Sequence, residues 1–442
     1  MNATIGSRSM PKPVGRLVRP AGFAFYAACA LAAASVAQPA TASVATQEWS
    51  AHSARPQWFS DGDSGAASRL IQLLEGSSID GIDPERFRIE DLQRAVRNAR
   101  DGRMSSVDRA NSLLDRALIA YVVALRQAPT SEWIVNDGDA VPALPSPESL
   151  LTEAASAPSL GQWVEAMPFM HHSYSGLRRA LLEAEASGDR HSADLLRINL
   201  HRARMLPATG RYVLVNTAAQ RLYMYEGGRA VDEMKVVVGK AHQQTPMMAA
   251  TIKFTALNPY WQVPADLAAE RVAPNVVKEG LGYLKQHGYV VLSDWGENAQ
   301  PIDPASVDWE AVVAGKVHVR LRQEPGPGNS MGRMKFMFPN PQGIYLHDTP
   351  NKELLNEDAR LFSGGCVRLE DAQRLAAWIY GRPLDWRGAH VEEAVNLPDP
   401  MPVYLIYQTA APSGDRIVYY DDIYGRDQSA LAGASTGIVA AR

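Results

Sequence analysis

Cysteine is nearly absent from this chain: 442 residues hold two, Cys29 and Cys366. Basic charge is also in short supply, with 44 Lys and Arg against 48 Asp and Glu, a balance that speaks against a nucleic-acid partner. The apolar run 21–37 falls short of the ~18 or more unbroken apolar residues that a permanent transmembrane anchor needs. It follows Arg8, Lys12, Arg16 and Arg19, meets no acidic residue within 1–42, and ends at Ala40-Thr41-Ala42, so 1–42 reads as a signal peptide cleaved near Ala42. Cleavage would leave 40 of the 44 basic residues against 48 acidic ones, a net charge of −8, with Cys366 as a lone thiol that has no disulfide partner. In an oxidising compartment such as the periplasm a second thiol could trap a reactive one, so a single thiol suits an exported protein. Clustered metal ligands are lacking too. His171 and His172 stand beside Tyr174 without nearby Cys or spaced carboxylates, which assigns them a structural role and predicts no metal.

What is present divides by texture. Hydrophobic residues make up 46% and charged ones 21%, ordinary for a globular chain with room for two domains. Between 43 and 206 the pattern is helical, with helices expected at 64–75, 84–100, 174–187 and 192–205. Another opens at a Ser105/Asp108 capping pair, runs through Leu114, Leu118, Tyr121 and Leu125, and stops at Pro129. After Pro207 strands are expected at 212–216, 221–225, 234–239 and 251–257, with Gly227-Gly228 as a hairpin turn. The strand rhythm breaks at 265–331, where helices over 267–279 and 304–314 precede a Glu324-Pro325-Gly326-Pro327-Gly328 hinge. Strands resume at 335–338 and 344–347, a helix follows at 370–380, and strands close the pattern at 403–407 and 417–420. Asp421-Asp422 reads as a solvated strand end, and 428–442 as a disordered tail. The fold class is α+β and multidomain: a helical scaffold over 43–206, then a β-sandwich domain over 207–427 carrying an inserted cap.

Chemistry concentrates between Tyr345 and Glu370. Cys366 follows Ser363, Gly364 and Gly365, where backbone N–H groups can approach a substrate oxygen closely. His347 ends a short apolar run 19 residues upstream, a rigid mount for a base. A thiol, an imidazole and oxyanion donors are the parts of nucleophilic acyl transfer. Arg368 in this apolar setting wants a charged or carbonyl partner. Ser363 either caps a turn or orients substrate, and Trp261, with Tyr260 beside Pro259, either packs in the core or lines a cleft.

These residues resemble the L,D-transpeptidases, the YkuD-domain enzymes of bacterial peptidoglycan, on His347 and Ser363-Gly364-Gly365-Cys366-Val367-Arg368. The likeness extends over RYVLVN, RLYMYEGG, VVVGK, Thr245-Pro246 and NPYWQVP, as in the YcbB-like subgroup, and returns at VYLIYQTA and DDIYGRD. Many relatives carry His at Gly364, so that position is not catalytic here. A peptidoglycan-binding module, common in the subgroup, finds no room in the short 187–191 linker. The resemblance implies Cys366 as nucleophile, His347 as base, Gly365 and Cys366 N–H groups as the oxyanion hole, and Arg368, Ser363, Tyr345 and Trp261 as substrate-binding. It further implies tetrapeptide stems as donors, an amine acceptor with a 3→3 link favoured over 1→3, release of D-Ala, carbapenem inhibition and no cofactor. A hydrolase of stems or wall-protein links, and a non-catalytic wall-binding protein, are the alternative readings.

Overall fold

The computed structural model describes residues 55–59, 65–127, 132–296, 298–414 and 416–440. The signal-peptide segment and Pro129 lie outside them. Among the described residues no helix is long and apolar enough to cross a membrane.

The first half is helical: α1 (Gly65–Glu75), α2 (Ile89–Ala99), α3 (Met104–Arg126), α4 (Pro147–Ser156), α5 (Leu160–Ala166), α6 (His172–Ser187) and α7 (Arg190–Ala203). The helix expected over 84–100 is broken, because Arg88 takes a left-handed φ of 50° between a Pro84–Phe87 turn and α2. The Ser105/Asp108 cap does not form either. Asp101 is the anchoring side chain instead, accepting from Arg103 N at 2.8 Å and Ser106 Oγ at 3.2 Å, so α3 starts one residue before Ser105. Buried Leu114, Leu118, Tyr121 and Leu125 form the apolar stripe of α3. Inside the bundle Asp80 accepts from Tyr121 Oη and Tyr174 Oη at 2.8 Å and from Arg178 Nε at 2.9 Å, so one buried carboxylate ties α3 to α6. His171 caps α6 through Nδ1, which receives Ser173 N at 3.1 Å.

The second half is a mixed sheet. Its strands are β1 (Ile134–Val135), β2 (Arg211–Asn216), β3 (Arg221–Glu226), β4 (Arg229–Gly239) and β5 (Met248–Leu257). The cap then supplies β6 (Trp261–Val263), β7 (Tyr289–Leu292) and β8 (Arg320–Gln323). The sheet continues with β9 (Met334–Met337), β10 (Leu346–His347), β11 (Leu361–Ser363), β12 (Val367–Leu369) and β13 (Glu393–Ile406), and a hairpin, β14 (Ala410–Ser413) and β15 (Arg416–Tyr419), follows. Gly227 and Gly228, at φ 55° and 80°, make the tight turn from β3 to β4. Pairing runs β5–β13–β2–β3–β4–β12–β10–β9 and returns to β5, so the sheet closes around one apolar core. Helix α12 (Ala372–Tyr380), capped by Asp371, lays Leu375, Ala376 and Ile379 on that core.

The insertion has a core of its own, including Val263, Val272, Leu284, Trp309 and Leu321. It holds α8 (Ala265–Leu267), a π-turn (Ala268–Val272), α9 (Ala273–Glu279), α10 (Gly282–Gln286) and α11 (Trp309–Val313), with β6, β8 and β7 as a small antiparallel sheet. That sheet was not expected: strands of three or four residues are too short to show a period. The helix expected over 304–314 is split, since Asp308 caps a fresh start at Trp309. Asn329 pins the Pro-Gly exit by donating to Pro259 O, Gln323 O and Glu324 O at 3.1, 3.2 and 3.0 Å.

The end of the chain corrects two expectations. Residues of the expected disordered tail form α13 (Arg426–Ala440), and Asp422 is its cap, accepting from Arg426 N at 2.9 Å and Asp427 N at 3.0 Å. Asp427 is buried and pairs with buried Arg202 of α7 at 2.5 Å.

Candidate active site

Strands β10 and β12 are parallel neighbours with Leu346 opposite Val367 and His347 opposite Arg368. Side chains alternate along a strand. Leu346 and Val367 are fully buried in the core, so Tyr345, His347, Cys366 and Arg368 share the opposite face, towards the insertion. Two facing strands thus gather four of the residues singled out in the sequence.

The turn before Cys366 is held by named bonds. Gly365 has φ 112°, and a Cβ there would lie 3.1 Å from Ile344 Cδ1, so only glycine suits the position. Its carbonyl accepts from Thr245 Oγ1 at 2.7 Å, while Thr245 Oγ1 accepts from Gly239 N at 3.0 Å. Buried Ser363 donates to Cys366 O at 2.5 Å and accepts Gly365 N at 3.1 Å. Of the two readings of Ser363, its bonds are those of a turn-holder. They also correct the expected oxyanion hole: the Gly365 N–H is already committed to Ser363 Oγ.

His347 is buried, and its Nδ1 lies 2.6 Å from Asp348 O. A carbonyl only accepts, so Nδ1 carries the proton and Nε2 is left as the basic nitrogen. Asp348 is itself fixed, its carboxylate taking Arg333 N at 2.9 Å and Lys352 Nζ at 2.8 Å. Burial first, then the Arg368 charge, pulls the His347 pKa down to about 3. Burial pushes the Cys366 thiol up to about 11, against the opposing pull of hydrogen bonds from Tyr345 and the Arg368 charge. The resting pair is therefore neutral, with Cys366 Sγ donating to Gly343 O at 3.5 Å. The Tyr345 hydroxyl lies in hydrogen-bonding reach of the sulfur, and burial together with that thiol keeps it a protonated donor. Sequence reasoning offered Tyr345 as a substrate contact only. The period-two alternation that puts it on the face of His347 was the available signal.

A cavity of about 360 Å³ opens between Arg368 of β12 and the cap. Trp261, Tyr283 and Tyr289 wall it on the cap side, so Trp261 both packs in the cap core and lines a cleft. Arg271, on the π-turn, reaches in and donates to Phe362 O at 3.0 Å. Arg368 faces the same space with its buried Nε unpartnered, and burial, then the Arg271 charge, lowers its pKa to about 10. Lys240 and Glu270 form an ion pair at the rim. Leu267 packs over Gly364, 3.1 Å from where a Cβ would stand, so a side chain there would push on the cap. Arg271 carries no signal in the sequence, because its side-chain bond is to Phe362 O, 91 residues away.

Residues 210–405 match the model of the YkuD family, the L,D-transpeptidase catalytic domain, and residues 47–181 match a family described as a scaffold domain. A Haemophilus influenzae protein named "Putative L,D-transpeptidase" is 33% identical over 240 residues, which are 53% of this chain and 48% of the relative. The chain therefore spans about half the length of that curated relative. A solved L,D-transpeptidase from Mycobacterium smegmatis shares 14% identity over 45% of this chain and 59% of that one, with a TM-score of 0.22, a likeness too slight to carry an argument.

Proposed function

We propose, from the match of residues 210–405 to the YkuD family, the L,D-transpeptidase catalytic domain, that this chain cross-links peptidoglycan through an acyl-enzyme on Cys366. The donor is a tetrapeptide stem, attacked at the carbonyl of its third residue, diaminopimelate. His347 Nε2 takes the thiol proton as sulfur adds, which a neutral pair requires at the moment of attack. The Cys366 N–H and the Tyr345 hydroxyl hold the oxyanion, with Tyr345 standing in for the engaged Gly365 N–H. Collapse breaks the carbonyl–nitrogen bond, and the imidazolium returns its proton to departing D-Ala. An acceptor amine then attacks the thioester, gives its proton to His347 and frees the thiol.

The acceptor in this reading is the side-chain amine of a second diaminopimelate, a 3→3 link, and the protein works outside the cytoplasm on the wall. The scheme calls for no metal or organic cofactor. The observation that carries it is the shared face of β10 and β12, which holds both the thiol and an imidazole whose tautomer is set by Asp348 O. A carbapenem tests it: ring opening by Cys366 should add the drug's mass to the protein, and an intact-mass spectrum without adduct after long incubation contradicts it.

A further inference from the structure

We propose that Arg271 of the cap and Arg368 of β12 form one carboxylate site, used by the D-Ala that leaves and then by the amine that attacks. The inference rests on the acyl-transfer reading above and adds the identity of the acceptor's recognition group.

Position comes first. Arg368 pairs with His347 across β10 and β12 and lines the cavity, together with Thr349 and Asn351 after the base and Phe362 before the Cys366 turn. The cavity thus borders Arg368, the register partner of His347. The nitrogen that receives a proton from His347 on leaving, and the nitrogen that surrenders one on attack, must both visit the base's side of the thioester. The cavity is where the rest of each molecule goes.

Charge comes next. The rim holds Lys240 and Glu270 as a pair, which cancel, leaving the two arginines in excess. Arg271 spends one Nη2 bond on Phe362 O, and Arg368 Nε is buried with no partner among the described residues. A buried guanidinium donor without an acceptor is costly and is satisfied best by a carboxylate, which takes two donors side by side. Arg271 sits on a π-turn, a local departure from helical spacing that commonly marks a functional position.

Substrate chemistry then decides. Departing D-Ala has a carboxylate on the carbon that bears its nitrogen, in the D configuration. The free amine of diaminopimelate also sits on a D-carbon that bears a carboxylate. One site therefore fits both. The other candidate amines do not share this unit: the first stem residue has an amide carbonyl beside its amine, and a protein lysine has a methylene. The aromatic wall of Trp261, Tyr283 and Tyr289 is left to cover the alkyl part.

The test uses the full chain, disaccharide-tetrapeptide as donor and two small acceptors, D-norleucine and D-norleucinamide, which differ only in the carboxylate. The wild-type enzyme should transfer to the acid about tenfold or more faster than to the amide, the usual worth of a charge-assisted contact. Arg271→Ala should bring that ratio close to one, and Arg271→Lys should restore much of it. A loosened Phe362 contact would slow both acceptors alike and leave the ratio unchanged. A wild-type enzyme indifferent to the carboxylate, or a folded Arg271→Ala that keeps the preference, overturns the proposal. The mass of Cys366 after donor alone separates the two levels: with an acyl adduct present the failure belongs to the carboxylate site, and with none the acyl-transfer reading falls as well.

Discussion

A thiol near pKa 11 on the same strand face as an imidazole near 3 makes both groups neutral, and that sets how Cys366 should react. Its alkylation by iodoacetamide, followed by peptide mapping, should keep climbing as pH rises from 7 to 10, because thiolate is scarce until about 11. A rate already flat from about pH 5 upward would show a thiolate–imidazolium pair and contradict the assignment of protons. In the proposed reaction the proton passes to His347 during attack, so His347→Ala should slow D-Ala release by about two to four orders of magnitude. A rate within a few-fold of wild type would assign the base elsewhere. Cys366 and His347 stand out in the sequence as candidates because each sits in a short, distinctive motif. The commitment of Gly365 N–H to Ser363, and the approach of Tyr345 to the sulfur, are properties of a folded turn that no spacing states.

At the scale of elements, the loop after β10 depends on a close approach. Gly332 has φ 63°, and a Cβ there would fall 2.4 Å from Asp348 Oδ2. Asp348 cannot retreat without giving up Arg333 N and Lys352 Nζ, and its carbonyl aims His347. Gly332→Ala should therefore cost about 1–3 kcal/mol in urea unfolding, and lower the rate of D-Ala release as well. An unchanged midpoint and rate would show that Asp348 does not hold the base. Strands such as β2, β3 and β5 were foreseen to within a few residues because runs rich in β-branched and aromatic residues are a strong signal. The cap's sheet escaped because its strands are three and four residues long, and α2 was overextended because nothing in the sequence demanded the left-handed turn at Arg88.

Across the whole molecule, the helical half and the sheet are joined by a buried polar network rather than by apolar contact alone. Arg202 of α7 bonds Asp427 and Tyr407 O, and Asn199 exchanges bonds with Thr409, which in turn donates to Asp427. Removing Asp427 leaves a buried guanidinium short of its partner, so Asp427→Ala should cost about 3–5 kcal/mol. A thermal midpoint equal to wild type would mean that α13 contributes nothing to the union of the two halves. The small, polar composition of 428–442 suggested disorder, and composition alone could not reveal that Asp422 and Asp427 anchor a helix to partners as distant as Arg202. The central claim concerns the chain as an acyl carrier. Incubation with disaccharide-tetrapeptide, read by mass spectrometry, should show free D-Ala, a tripeptide acyl adduct on Cys366 and cross-linked dimer, all three lost in Cys366→Ala. D-Ala release that persists in Cys366→Ala would contradict it.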